Sequence, residues 1–332
     1  MTDLLVKRAQ LLRSMNQESI VLFIVVILFV VFSITLDSFL SGPNLLSLIQ
    51  GVSILGALGI AMAITIIGRG IDLSLVATFA MPVAWVLFKV ETGTTLTEAA
   101  LLGLGFAILI GLINGTLIAY MEIPAVFATL AMGTIVYGVT HLFLVDADVV
   151  YFPASMNWMK GLGTGSIWGI PAPVIFFGVL AALAAIFLRL TKYGRFIYAL
   201  GDNQQAARIT GLPTRPLLTL QYVLASTIAF VSGLVSAAAV SSMNTRVSNS
   251  TMVYDVILVV VLGGIGLSGG RGRIRNVVVG TILIGLLING MTMMDLSFTT
   301  QNLVKSSILL LAIVIDSLLN PRDEQTSQQG DI

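Results

Sequence analysis

The chain has 332 residues, of which 57% are hydrophobic and 10% charged, with a net charge of +1 and no cysteine. A soluble domain carries about 25% charged residues, and a water-soluble fold of this length has no interior that could hide so much apolar surface, whereas a bilayer accepts it. Disulfides and thiolate metal sites are excluded, and so is a general basic field for nucleic acid.

In chain order, Lys7, Arg8 and Arg13 precede an apolar run at 20–36. No small-residue cleavage site follows it, so it reads as a retained transmembrane helix rather than a secretory leader. Further apolar runs of spanning length follow at 45–67, 72–89, 99–119, 124–144, 172–189, 217–240, 253–268, 276–293 and 303–319. The second and third, and the eighth and ninth, are parted only by short Gly-rich breaks, so the expected count is eight to ten. The fold class is an all-α polytopic membrane bundle. Residues 1–319 read as one transmembrane domain with halves at about 1–150 and 151–319, and 320–332 as a disordered cytoplasmic tail.

Orientation follows the Lys/Arg bias of the connections. With the N-terminus inside and ten alternating spans, thirteen of the seventeen basic residues fall on the cytoplasmic side. Lys89, Lys160, Arg246 and Lys305 fall outside. Both termini are therefore expected in the cytoplasm. The long outer segment Val145–Pro171 carries Trp158 and Trp168, which suit a membrane interface. Leu190–Pro216 is the longest inner connection.

An internal repeat accompanies this alternation. Ile108–Gly115 (Ile-Leu-Ile-Gly-Leu-Ile-Asn-Gly) matches Ile282–Gly290 with one residue inserted. The copies lie five spans apart and so run in opposite directions, as expected of a 5+5 inverted duplication.

Charges within spans are costly and call for a reason. The break Gly68-Arg69-Gly70-Ile71-Asp72-Leu73-Ser74 interrupts about 40 apolar residues. Its glycines permit non-helical backbone, Asp72 can cap the next helix by accepting from N–H groups at 74 and 75, and Arg69 can pair with Asp72 or with a cytoplasmic partner. A capped tight turn and a solute contact both remain open there. The second break, Gly263-Gly264-Ile265-Gly266-Leu267-Ser268-Gly269-Gly270-Arg271-Gly272-Arg273, superficially resembles a phosphate loop but has no following Lys-Ser/Thr. It reads as close helix packing beside a cavity. With Arg69, Asp72 and Ser74, the candidate pathway residues are Asn114, Gly263, Gly264, Gly266, Ser268 and Asn289. Gln221 and Asp255 are further polar residues within spans. His141 reads as a histidine near a helix end, and no catalytic or metal constellation surrounds it. No carboxylate relay crosses the middle, which disfavours ion coupling.

Within the inner connection, Asp202-Asn203 is a helix start, Gln204–Thr210 a short helix, and Gly211 with Pro213 its stop. Two helical turns are too few to stand alone, so this element is expected to dock on a partner.

At this loop the sequence resembles the monosaccharide permeases of ATP-binding-cassette importers, of the ribose, xylose, arabinose and autoinducer-2 type. Four features carry the resemblance in order: Gly70-Ile71-Asp72-Leu73-Ser74; Asn114-Gly115 with Ile123-Pro124-Ala125 and Ala128-Thr129-Leu130; Gly194-Arg195 through Ala206-Ala207 to Gly211; and Leu262-Gly263-Gly264 through Ser268-Gly269-Gly270. Arg69 stands where the family usually has glycine, and Leu75-Val76-Ala77 where it more often has Val-Gly. The resemblance implies a permease subunit of the bacterial inner membrane that forms the path for a monosaccharide or small polyol and is not itself an enzyme. It implies no bound cofactor, with ATP held by a separate ATPase subunit. It further implies a periplasmic sugar-binding protein and a second permease copy or paralogue. Asn203, Gln204, Gln205, Ala206, Ala207, Arg208, Ile209, Thr210 and Gly211 are then the ATPase-coupling helix. A branched-chain amino-acid permease and an ion-coupled secondary transporter are the alternatives.

Overall fold

The computed structural model describes residues 17–319; the tail expected at 320–332 and the basic residues 7–13 lie outside it. Ten helices coincide with the ten apolar runs. They are α1 (Gln17–Thr35), α2 (Gly42–Ile67), α3 (Leu75–Glu91), α4 (Leu96–Ala119), α5 (Ala125–Val139), α6 (Ala172–Leu190), α9 (Thr214–Val240), α10 (Met252–Leu262), α11 (Ile274–Met293) and α12 (Phe298–Leu319). Between α6 and α9 lie α7 (Lys192–Asp202) and the short α8 (Gln204–Ile209). Six helices (α2, α4, α5 with its π-helical extension to Leu144, α6, α9 and α11) are long and apolar enough to cross a membrane. Val21–Thr35, Met252–Leu262 and Phe298–Val314 are shorter apolar helices.

The distribution of side chains is that of a membrane protein. From Leu55 to Ile67 every residue of α2 is buried, and α3 and α10 are nearly as enclosed. Helices α1, α4, α5, α6 and α12 instead expose Leu, Ile, Val and Phe side chains outward. In water so extended an apolar surface would drive association; in hydrocarbon it costs nothing. Helices apolar on every side take the middle, and the rest turn their outer stripe to lipid.

The packing has a two-fold pattern. Helix α2 packs on α11 as α9 packs on α4, α2 on α10 as α9 on α3, α3 on α4 as α10 on α11, and α3 on α5 as α10 on α12. The repeated glycines follow the same exchange. A Cβ on Gly111 of α4 would stand 2.7 Å from the Tyr222 carbonyl oxygen of α9, and one on Gly285 of α11 would stand 2.0 Å from Val52 Cγ1 of α2. Small residues admit such close helix approach. The helix ends correspond too, each finishing on a left-handed residue: Arg69 and Ser241 after α2 and α9, Gly93 and Gly264 after α3 and α10, Glu122 and Asp295 after α4 and α11.

The connections gather at two ends. At one, the segment 145–171 forms β1 (Val149–Tyr151), which pairs antiparallel with β4 (Ser242–Asn244) just after α9. Arg246 donates to Asp148 beside this ladder, and the Thr245 hydroxyl lies 3.0 Å from His141 Nε2. Between these strands β2 (Ser166–Ile167) and β3 (Ile170–Pro171) make a hairpin whose tip residue, Trp168, is 97% exposed. At the other end, both Gly-rich breaks meet α7. There too Arg215 reaches Glu122 at 3.5 Å and covers the Tyr120 ring.

Candidate functional site

The first break is a helix stop followed by a helix start. Helix α2 ends with the Arg69 N–H donating to the Ile66 carbonyl and the Gly70 N–H to the Thr65 carbonyl, a Schellman arrangement closed by Arg69 at φ 68°. Glycine is the usual residue there because it has no Cβ to clash. The Arg69 side chain is exposed and forms no ion pair with Asp72. Asp72 is fully buried and accepts through Oδ1 from both the N–H and the hydroxyl of Ser74, fixing the first turn of α3. Asn114 of α4 donates to Ser74 Oγ at 2.8 Å, and the Thr129 hydroxyl of α5 accepts from the Leu73 N–H at 3.0 Å. Thus Asp72, Ser74 and Asn114, chosen from sequence, form one buried network joining α3 to α4.

Helix α9 closes that network from the other half. Gln221 lies so close to Gly68 that a Cβ there would be 1.9 Å from its Oε1, and Tyr222 Oη would be 2.4 Å from a Cβ on Gly70. Asp72 Oδ2, Asn114 Oδ1, both polar atoms of Gln221 and Tyr222 Oη are buried without a hydrogen-bond partner among the described residues. Such a concentration is rare in protein interiors.

The second break is built in the same way. Gly264 ends α10 at φ 99°, with Ile265 N–H donating to the Val260 carbonyl. Asn276 bridges the break, accepting from the Arg273 N–H and donating to the Gly263 carbonyl at 2.9 Å. Gly263 is buried against the Asn276 backbone, Gly266 and Ser268 are half-buried, and the Gly266 carbonyl accepts from Gly269. Asn289, the repeat counterpart of Asn114, is not part of this network. It exchanges two hydrogen bonds with Asn44 at the start of α2, at the opposite end.

Helix α7 joins the two breaks. The Gly270 N–H donates to the Ile67 carbonyl at 2.8 Å, and Gly201 sits over that bond with space for no side chain: a Cβ would be 1.8 Å from the same carbonyl. Tyr198 Oη donates to the Gly272 carbonyl at 2.7 Å, and partial burial pushes its hydroxyl above the usual value. Immediately after α7, Asn203 Oδ1 caps α8 by accepting from the Ala206 N–H. Gly211 at φ 81° ends α8. Of residues 203–211 only Ala207 is buried; Gln204, Gln205, Ala206, Arg208, Thr210 and Gly211 are exposed, and Ile209 is 86% exposed. Helix α8 is thus a short capped helix that turns an isoleucine outward.

Among the described residues, two cavities lie away from these breaks, and none of the predicted pathway residues lines either. One, about 560 Å³, lies between α4 and α9 and is mainly apolar, with Leu112, Leu220 and Val223 in its wall. The other, about 580 Å³, lies at the end that carries the β1–β4 ladder and is lined in part by Ser47, Gln50, Thr164 and Ser236. Sequence reading passed over these four. Gln50, an amide inside the run 45–67, was the available signal.

Comparison with known proteins fits this architecture. Residues 44–315 match the family model described as the permease component of branched-chain amino acid transport systems. The chain belongs to this family of transport permeases and is an integral protein of the bacterial inner membrane. Among curated proteins it is 32% identical to the ribose import permease protein RbsC of Escherichia coli K12, covering 91% of this chain and 94% of that one. It is 33% identical to the RbsC of Bacillus subtilis (87% and 89%) and 30% identical to the L-arabinose ABC transporter permease protein AraH of Azospirillum brasilense (91% and 87%). No solved structure matches.

Proposed function

We propose that the chain is the pathway-forming subunit of an ATP-binding-cassette importer for a monosaccharide or related small polyol. Near full-length similarity to ribose and arabinose permeases supports the solute class. The observation that carries the mechanism is the exposed α8, joined through the single extended residue Asn203 to the helix that holds both Gly-rich breaks. In this reading a separate ATPase, which binds the ATP, seats on 203–211, and its closure moves α7 against residues 67–70 and 270–272. The shift opens the outer end and closes the inner one. Asp72, Ser74, Asn114, Gln221 and Tyr222 form the joint that moves, and their unpaired atoms find partners in the alternate state. A binding protein delivers the solute to the end bearing the β1–β4 ladder, and a second permease subunit completes the pathway.

Ten spans with both termini inside, arranged as a 5+5 inverted repeat within one domain, are part of this proposal. The mirrored helix contacts and left-handed helix ends support it. The family description also covers branched-chain amino acids, so the solute class is tested directly. Co-expression with its ATPase and binding-protein partners should give monosaccharide uptake in vesicles. Leucine uptake with no sugar uptake would replace the sugar reading. Ile209→Asp should abolish co-purification of the ATPase while the permease still reaches the membrane; an ATPase that still co-purified would remove α8 as its seat.

A further inference from the structure

The cavity of about 580 Å³ at the outer end lies among the first turns of α2, the last turns of α9 and the starts of α6 and α10. It falls within the ~300–1,000 Å³ typical of small-molecule sites. Ser47, Gln50 and Ile54 are spaced three and four residues apart, so α2 presents them on one face. Ser236 of α9 and Thr164 of the outer segment contribute further hydroxyls. No lining residue is charged. A polar side chain on a membrane helix is expensive unless it faces a cavity or a partner. The side chains of Ser47, Gln50 and Ser236 have no hydrogen-bond partner among the described residues, and all three line this cavity.

Such a wall selects. An amide offers both donor and acceptor, and a hydroxyl does the same, so Gln50 with Ser47 and Ser236 matches a solute carrying several neutral hydroxyls. A carboxylate or ammonium group would enter without a countercharge and lose its hydration there. The cavity also bridges the two helices that exchange places in the two-fold pattern, α2 and α9. Their opposite ends make the Gly68–Gln221 contact under α7, so motion at the inner joint reaches the cavity wall along two continuous helices.

We propose that this cavity is the outer subsite for the transported solute, with the Gln50 amide and the Ser47 and Ser236 hydroxyls binding a neutral polyol as it leaves the binding protein. The inference rests on the sugar-import reading and adds the site and its selectivity. The test uses the full complex in vesicles with ribose, xylose, arabinose and galactose as probes and leucine as comparison. Gln50→Leu and Ser236→Leu should each cut sugar uptake about tenfold, as expected for a lost polar contact to solute. ATPase co-purification and basal ATP hydrolysis should stay unchanged, and Gln50→Asn should recover part of the uptake. Because the natural chain has no cysteine, Ser236→Cys gives a second readout. Modification of the introduced thiol by a small methanethiosulfonate should slow severalfold when the transported sugar and binding protein are present. Sugar uptake unaffected by either leucine variant, or thiol labelling at position 236 indifferent to sugar, would overturn the subsite and leave the import reading intact. A parent complex that carried only leucine would remove both.

Discussion

Asp72 and Lys305 show how single polar residues are accommodated in this bundle. Asp72 accepts from the N–H and hydroxyl of Ser74, the residue just before α3, and not from residue 75 as the sequence suggested, so its structural task needs an acceptor oxygen rather than a charge. Asp72→Asn should therefore keep the melting temperature of the detergent-solubilised protein close to that of the parent. Asp72→Ala, which leaves the Ser74 N–H uncapped, should cost about 1–2 kcal/mol and melt measurably lower. Equal losses in the two variants would show that the charge itself is structural. Lys305 of α12 meets Asp255 of α10 at 2.8 Å with side-chain exposures of 8% and 15%. Removing one partner strands the other, so Lys305→Met should cost about 3–5 kcal/mol, whereas Lys305→Met with Asp255→Leu should recover most of it; a thermal double-mutant cycle reads the difference. The sequence marked Asp72 and Asp255 as buried polar groups because each interrupts apolar surroundings. It left open whether Arg69 neutralises Asp72 and placed Lys305 on the outer side without a partner. Those assignments depend on which helix lies opposite, and distant segments decide that.

At the scale of elements, α7 and the outer ladder are the two parts that sequence periodicity resolved least. A short helix at 204–210 was legible from Asn203, Gly211 and Pro213. The seating of α7 on both Gly-rich breaks was not, because backbone-to-backbone contacts such as Gly270 to Ile67 leave no mark except glycine at 201 and 270. If that seating transmits force, Tyr198→Phe should weaken it by about 1 kcal/mol, roughly a fivefold shift between two states. Solute moved per ATP should fall while ATPase binding holds. A stoichiometry unchanged from the parent would make Tyr198 a local packing residue. At the opposite end, β1 and β4 are three residues each, too short for alternation to declare them. Their pairing is reinforced by the Arg246 guanidinium, which holds the Asp148 carboxyl below its ordinary 3.8. A carboxyl depressed in the folded state adds stability above its unfolded value, and that stability is lost as pH falls through the depressed value. Hydrogen exchange in 149–151 and 242–244, corrected for its intrinsic pH dependence, should therefore show constant protection from about pH 8 to 5 and lose it only in stronger acid. In Asp148→Asn the acid-dependent part should vanish.

For the whole molecule, the proposed topology has one crossing, α9, between 209 and 249, which would place them on opposite sides of the membrane. The cysteine-free background makes the test clean: Asn249→Cys should react with a membrane-impermeant maleimide in intact cells, and Ile209→Cys only after permeabilisation. Labelling of both from one side would break the alternation. Composition and run length made the helices readable, and the Asn-Gly repeat pointed to the duplication. How the halves interlock was hidden, because α2 finds its main neighbours in α9, α11, α6 and α10 rather than in its own half. That interlocking has a consequence for biosynthesis. At about 5–20 residues per second, a ribosome that has finished α2 needs on the order of 10–30 s to deliver α9, so the early helix enters the bilayer as an orphan with its glycine-lined face open. Its safe passage depends on how quickly late helices arrive or on what shields that face in the meantime.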